Sequence, residues 1–391
     1  MEEFINPRVR EIEISGIRRI ATLAAGYPNA VALTLGQPDF PTPTHILEAA
    51  KQAIDQGKTV YTMNAGLPEL RTAAANFLKV KYGLSYDAAN EVIVTVGATE
   101  ALEIVLQTLL VEGSEVILPA PAYPGYEPLI RLCGGVPVLV DTSDSGFKLT
   151  AEQLAAAITP QTRCIILGTP ANPTGRVLDD DDLQSLAAVL RDLPIFVLSD
   201  EIYSELIYKG QHRSISSYEG MREKTIVING LSKSHSMTGW RIGFTFAPAA
   251  ITRQMLKVHQ YHATCASSIS QYAALEALVG GIDDAAEMRE EYRKRLEYAV
   301  GRIEAIGLPL TVPEGAFYLF PSIAHLGIPS ETFAQQLLAQ EELAVVPGSA
   351  FSAYGEGYIR LSYAYSREQL AEAFDRLERF VDSLRGSLAG S

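Results

Sequence analysis

Lysine is a side chain that can hold a carbonyl carbon covalently, and Lys233 stands where such chemistry could be done. It follows the apolar run Thr225-Ile-Val-Ile-Asn229 and the short link Gly230-Leu231-Ser232, with Arg241 eight residues further on. Three other apolar runs end on polar residues in the same way. Val92-Ile-Val-Thr-Val96 leads into Gly97-Ala98-Thr99, Cys164-Ile-Ile-Leu167 into Asn172-Pro173-Thr174-Gly175, and Ile195-Phe-Val-Leu198 into Ser199-Asp200-Glu201 with Tyr203 beyond. Glycine followed by exposed amides and a threonine hydroxyl at a helix start makes an anion site, though a plain helix cap fits as well. Asn-Pro-Thr-Gly alone reads as a turn, an acidic pair after a strand as an N-cap, and a lone lysine as a surface charge.

What gathers these residues is the pattern of the elements. The runs 91–96, 115–118, 136–140, 163–167, 195–199, 225–229 and 241–247 read as buried strands, and 100–111 and 179–191 carry helical periodicity. Strands apolar on consecutive residues and joined by helices imply an α/β fold, its largely parallel sheet covered on both faces. Ligands bind such sheets beyond the carboxyl ends of the strands, where the polar residues fall. The alternation runs from about Tyr61 to Ser270. Helices over about 270–306 and scattered short strands then suggest a smaller α/β domain. The expected division is an N-terminal segment over 1–45 that partly joins the small domain, a large domain over 46–275 and a small domain over 276–391.

The run Gly230-Leu-Ser-Lys233-Ser-His-Ser-Met-Thr-Gly-Trp-Arg241-Ile-Gly243 resembles, position for position, the signature of the class I/II aminotransferases of pyridoxal-phosphate (PLP) fold type I. Gly36-Gln-Pro-Asp39, Tyr61, Gly97-Ala-Thr99, Pro121-Ala-Tyr123, Asn172-Pro-x-Gly175, Asp200, Tyr203 and Arg360 follow in that family's order. The resemblance implies PLP as cofactor, with Lys233 holding its aldehyde and shuttling the substrate's proton. It assigns Asp200 to the ring nitrogen, Asn172 and Tyr203 to the ring oxygen, and Tyr123 to the ring face. Ala98, Thr99, Ser232 and Arg241 would hold the phosphate, with Tyr61 reaching in from the other subunit of a homodimer. Arg360, assisted by Gly36 and Asn172, suits bidentate capture of a substrate carboxylate.

Two positions depart from the family. Gly230 stands where many relatives place a phosphate-binding serine, and Thr99 where some aspartate-specific relatives carry a lysine. Within the family the chain is most similar to the N-acetyl-LL-diaminopimelate aminotransferases of bacilli, on Glu13-Ile-Ser-Gly-Ile17, Tyr123-Pro-Gly-Tyr-Glu-Pro128, Leu231–Ser236 and Pro347-Gly-Ser-x-Phe351. The activity this implies is amino transfer between an amino acid and a 2-oxo acid. Aromatic and aspartate aminotransferases are the alternatives within the class, and a PLP-dependent carbon–sulfur lyase or a non-catalytic PLP-binding regulator those outside it.

Composition agrees with an enzyme of small molecules. The 391 residues are 47% hydrophobic and 20% charged, and a formal charge of −14 argues against nucleic acid or an anionic membrane as partner. No apolar run approaches the roughly 20 residues of a membrane helix, and no secretory signal is visible in residues 1–10. Three scattered cysteines point to a reducing cytoplasm rather than to disulfides. No metal is expected: His259 and His262 lack a matching carboxylate or cysteine, and His235 reads as a packing residue. Tyr354, Tyr358, Tyr363 and Tyr365 read as small-domain core around Arg360, and the Gly/Ser tail over 386–391 as frayed.

Overall fold

The computed structural model describes residues 1–389, with side chains described through Gly386. All seven expected strands form, in one sheet: β1 (Val92–Thr95), β2 (Glu115–Ala120), β3 (Val136–Asp141), β4 (Thr162–Gly168), β5 (Phe196–Asp200), β6 (Thr225–Gly230) and β7 (Gly243–Phe246). Their order across the sheet is β1-β7-β6-β5-β4-β2-β3. Every residue of β1, β6 and β7 is buried, whereas the edge strand β3 is only half-buried. Residues such as Ile93, Val227 and Ile228, wholly excluded from solvent, contribute about 1.5–3 kcal/mol each through burial.

The pairs β6–β5–β4–β2–β3 are parallel, but β7 runs antiparallel to both β6 and β1. The reason lies in the link that carries Lys233. Residues 231–242 contain only a short 3-10 turn at Thr238–Trp240, so the chain returns beside β6 rather than crossing over through a helix. Arg241, expected to begin the strand, lies outside it with a left-handed backbone (φ 54°), and β7 starts at Gly243.

The helices follow the expected periodicity, shifted by a turn or less. Gly97–Leu109 begins directly after β1, and Asp180–Leu190 is capped by Asp179, whose carboxylate accepts from the Asp182 amide at 3.1 Å. The long helical stretch is two helices, Ser268–Val279 and Ala285–Ile306. The final helix, Arg367–Ala389, extends through most of the tail expected to fray, of which residues 390–391 lie outside the described residues.

Beyond the main sheet, Tyr318–Leu319, Val346–Pro347 and Ile359–Ser362 form a small antiparallel sheet. Val31–Ala32 pairs in parallel with Leu343–Ala344, so the N-terminal segment is stitched to the C-terminal part of the chain. Ile20 and Leu33 enter the same core as Phe317, Leu343, Phe374 and Leu377.

Candidate active site

The polar strand ends converge. Asp200 is the last residue of β5 and is buried. Its Oδ2 accepts from the Tyr126 hydroxyl at 2.8 Å and its Oδ1 from the Ile202 amide at 3.3 Å. Burial pushes its carboxyl above the usual carboxylate range, Glu201 adds to this, and the two hydrogen bonds and Lys233 oppose it. Tyr126 was not among the expected residues. It lies three after Tyr123, and their rings meet edge to face at 5.3 Å.

Lys233 donates to the carbonyl of Gly36, which brings the N-terminal segment across the end of the sheet. Its Nζ lies 5.8 Å from the ring centre of Tyr203 and 5.9 Å from that of Phe317. Burial, helped by the positive charges of Arg241 and Arg360 and opposed by Asp200, pushes the ammonium down to about 8. An amine so depressed is available as a nucleophile and base near neutral pH.

The anion cup is formed by backbone and one guanidinium. Gly97 (φ 74°) opens its helix, and a Cβ there would stand 2.4 Å from Nη2 of Arg241. A Cβ on Gly243 would meet the Gly97 carbonyl carbon at 2.5 Å and the Ala98 nitrogen at 2.6 Å. Only glycine at both positions lets the arginine and the helix start approach each other. Ala98 is partly buried, Thr99 and Arg241 are exposed and Ser232 is buried beside Lys233. This chemistry suits a phosphate.

Arg360 is almost wholly buried, at 1% exposure. Its Nη1 donates to Asn172 Oδ1 at 3.1 Å and its Nη2 to the Thr34 carbonyl. Its Cζ lies 4.5 Å from the ring centre of Tyr318 and 5.0 Å from that of Phe351. Its Nε is buried without a protein partner among the described residues, which leaves donor capacity for a carboxylate. Tyr318, also absent from the expected set, bonds its hydroxyl to that of Tyr203 at 2.7 Å. A Cβ on Gly36 would lie 2.3 Å from the Tyr318 hydroxyl, so a side chain at 36 would displace Tyr318.

A depressed amine, a buried carboxylate, a glycine-lined helix start beside Arg241 and a buried arginine with a spare donor thus gather at the strand ends. The comparisons agree. A family model for aminotransferase class I and II matches residues 28–377. The chain belongs to that family. This class I/II aminotransferase is 55% identical over 381 residues, 97% of its length and 96% of the relative's, to a Bacillus subtilis protein named a probable N-acetyl-LL-diaminopimelate aminotransferase. It is 43% identical to an aspartate aminotransferase of Pyrococcus abyssi, over 96% and 98% of the two chains. The crystal structure of an aromatic aminotransferase from Pyrococcus horikoshii superposes with a TM-score of 0.89 at 42% identity, covering 94% of this chain and 99% of that one. The fold is that of PLP-dependent enzymes of fold type I, and PLP is the cofactor.

The remaining residues fall outside this cluster. Tyr61 is 83% exposed. His235 bonds Ser234 at 2.8 Å and the Gly281 carbonyl at 2.9 Å, a packing role. His259 pairs with Glu100 at 2.7 Å, a partner the sequence reading did not find, and with the Asn64 carbonyl at 2.9 Å. His262 faces Gln107, and no group of three or more potential ligands gathers to hold a metal among the described residues. Tyr363 is core as expected, but Tyr354 is 40% exposed and belongs to the surface. It sits on the short 3-10 turn Ala353–Gly355 that precedes the strand carrying Arg360. No helix among the described residues is long and apolar enough to cross a membrane.

Proposed function

We propose that this aminotransferase takes N-acetyl-LL-2,6-diaminopimelate as amino donor and 2-oxoglutarate as acceptor, a step of diaminopimelate and lysine biosynthesis in the cytoplasm. The observation that carries this reading is the match along nearly the whole chain to the Bacillus subtilis relative. Thr99, exposed at the rim of the anion cup, supports it, because no lysine stands there to hold the short arm of aspartate. The acetylated substrate has a long polar arm that extends toward the N-terminal segment, where aspartate is too short and phenylalanine brings no polar group. A donor left unpaired by the wrong substrate costs a few kcal/mol. With 2-oxoglutarate as acceptor, kcat/KM for N-acetyl-LL-diaminopimelate should exceed that for aspartate or phenylalanine by about a hundredfold. Equal rates with phenylalanine or tyrosine would transfer the assignment to the aromatic enzymes. Release of pyruvate and ammonia without any acceptor would mark a carbon–sulfur lyase.

In this reading PLP, when bound, supplies an electron sink for the substrate's Cα. Lys233 holds its aldehyde and then carries the proton away from Cα. Asp200 keeps a proton on the ring nitrogen. Asn172 and Tyr203 hold the ring oxygen, and Tyr123 covers the ring face. Ala98, Thr99, Ser232 and Arg241 hold the phosphate, while Arg360, Asn172 and Gly36 orient the substrate carboxylate. The chain divides at about residues 45 and 275, and the N-terminal segment lies over the site.

The same reading makes the enzyme a homodimer with shared sites. Val60, Tyr61, Met63 and Tyr261 are 75%, 83%, 59% and 85% exposed. The segment that bears the first three is nonetheless fastened, through Asn64 to the Thr264 carbonyl at 2.7 Å and Gln271 to Thr62 at 2.9 Å. A fixed strap presenting apolar side chains outward fits a surface that a second copy covers. Mixing inactive Lys233→Ala chains with inactive Tyr61→Ala chains should restore up to about a quarter of wild-type activity, since half the dimers are mixed and each keeps one intact site. Confirmed mixed dimers without activity would count against the shared site.

A further inference from the structure

Directly after Asp200 the chain buries a second carboxylate. Glu201 has no solvent exposure. Its Oε1 accepts from the hydroxyls of Ser199 at 2.7 Å and Ser214 at 2.5 Å, and its Oε2 faces Nε2 of His212 at 2.7 Å. Three donors around one carboxylate, with no acceptor opposite, form surroundings suited to an anion. Nδ1 of His212 is buried without a partner among the described residues. The tautomer with its hydrogen on Nε2 therefore fits best, because a bare acceptor costs less than a stranded N–H. Such a histidine gives Glu201 a donor and not a compensating charge.

The titratable groups around Glu201 come from several elements. His212 faces it from the loop after β5, and Tyr82 meets the His212 ring edge on at 4.7 Å. Tyr82 in turn donates to Glu205 at 2.6 Å, and its hydroxyl oxygen lies 2.8 Å from that of Ser204. Tyr86 carries Arg222 over its ring at 4.0 Å. The charge of Glu201 is felt by Tyr82, Tyr86 and Asp200. The Glu201 backbone is also fixed, its amide bonding the Ile228 carbonyl of β6 at 2.9 Å and its carbonyl accepting from Ser204 at 2.9 Å.

We infer that Glu201, held by Ser199, His212 and Ser214, is a positioning residue whose buried charge works through Asp200 to keep the cofactor and Lys233 protonated. It never touches substrate. It anchors the turn that aims Asp200 and Tyr203, and its charge adds to that of Asp200, whose carboxyl it raises. This rests on the reading that Asp200 faces that nitrogen.

The test is the pH titration of the visible absorption band of the PLP-loaded enzyme, which reports a proton held at Nζ of Lys233. Glu201→Gln keeps the shape and removes the charge, so the midpoint should fall by about one pH unit. Ser214→Ala removes one donor and leaves the charge, so its midpoint should stay within about 0.3 unit of the wild type. Should Glu201→Gln not fold, the double variant Glu201→Gln with His212→Gln sets amide against amide, and the same fall is expected. Asp200→Asn serves as the reference: by releasing the ring nitrogen's proton it should shift the ring's absorption bands. That shift with Asp200→Asn but no fall in the midpoint with the Glu201 variants overturns the inference alone. Bands unmoved by Asp200→Asn overturn the placement of the cofactor. A Ser214→Ala shift as large as that of Glu201→Gln would show that packing sets the midpoint, and would overturn the role given to the charge.

Discussion

Replacing Lys233 with alanine should reduce transamination by at least about 10⁴-fold, because one amine both holds the cofactor and moves the substrate's α-proton. Borohydride should fix PLP to the peptide that contains Lys233 in the wild-type enzyme and to none in the variant. Labelling at another lysine would refute the assignment. The surroundings of Lys233 add a pH signature. Burial and the two nearby arginines bring its ammonium down to about 8, and the neutral amine is the form that attacks the aldehyde. Uptake of PLP by the apoprotein should therefore quicken as pH rises, with a midpoint near 8, and level off above it. A midpoint above about 10, where an unperturbed lysine titrates, would mean that the amine is not desolvated as the structure has it.

The sheet was legible in the residues because its strands are buried on both faces and so read as unbroken apolar runs. The antiparallel β7 was not, since apolar runs carry no direction. The direction is set by the short link 231–242, which has no room for a crossover helix. Lys233, Asp200 and Arg360 stand out in the sequence through a fourteen-residue match and its outlying companions, not through their own surroundings. Tyr318 shows what that leaves out. It lies in a two-residue strand within Ala316-Phe-Tyr-Leu-Phe320, where nothing separates it from core aromatics, and only the fold sets its hydroxyl against Tyr203. Tyr126 had a weaker signal, since it follows Tyr123 across the Pro124-Gly125 turn, which its amide closes onto the Tyr123 carbonyl at 3.1 Å. Glu201 was weighed only as half of an N-cap. Its partners Ser199, His212 and Ser214 span sixteen residues in no recognisable spacing.

Asp200 carries the second large effect. Asp200→Ala should leave the fold intact, since the side chain faces the site and its neighbours in β5 keep their burial. It should nonetheless lower kcat by about 10²–10³-fold, the cost of removing one preorganised electrostatic partner from a developing charge. The direction of the pH dependence follows from the structure. Burial raises the Asp200 carboxyl, and the Tyr126 hydroxyl opposes that by bonding the charged form. Activity needs the carboxylate, so it is lost as pH falls through the value at which Asp200 takes up a proton. Tyr126→Phe removes the opposing bond and raises the carboxyl further, so the acid limb of kcat/KM should move to higher pH while the alkaline limb stays in place. A Tyr126→Phe enzyme whose acid limb is unmoved would show that another group sets it. An Asp200→Ala enzyme with near-normal turnover would have a deeper consequence. The ring nitrogen would then lie elsewhere than at the end of β5, and the roles of Asn172, Tyr203 and Tyr123, which follow from that placement, would have to be assigned again.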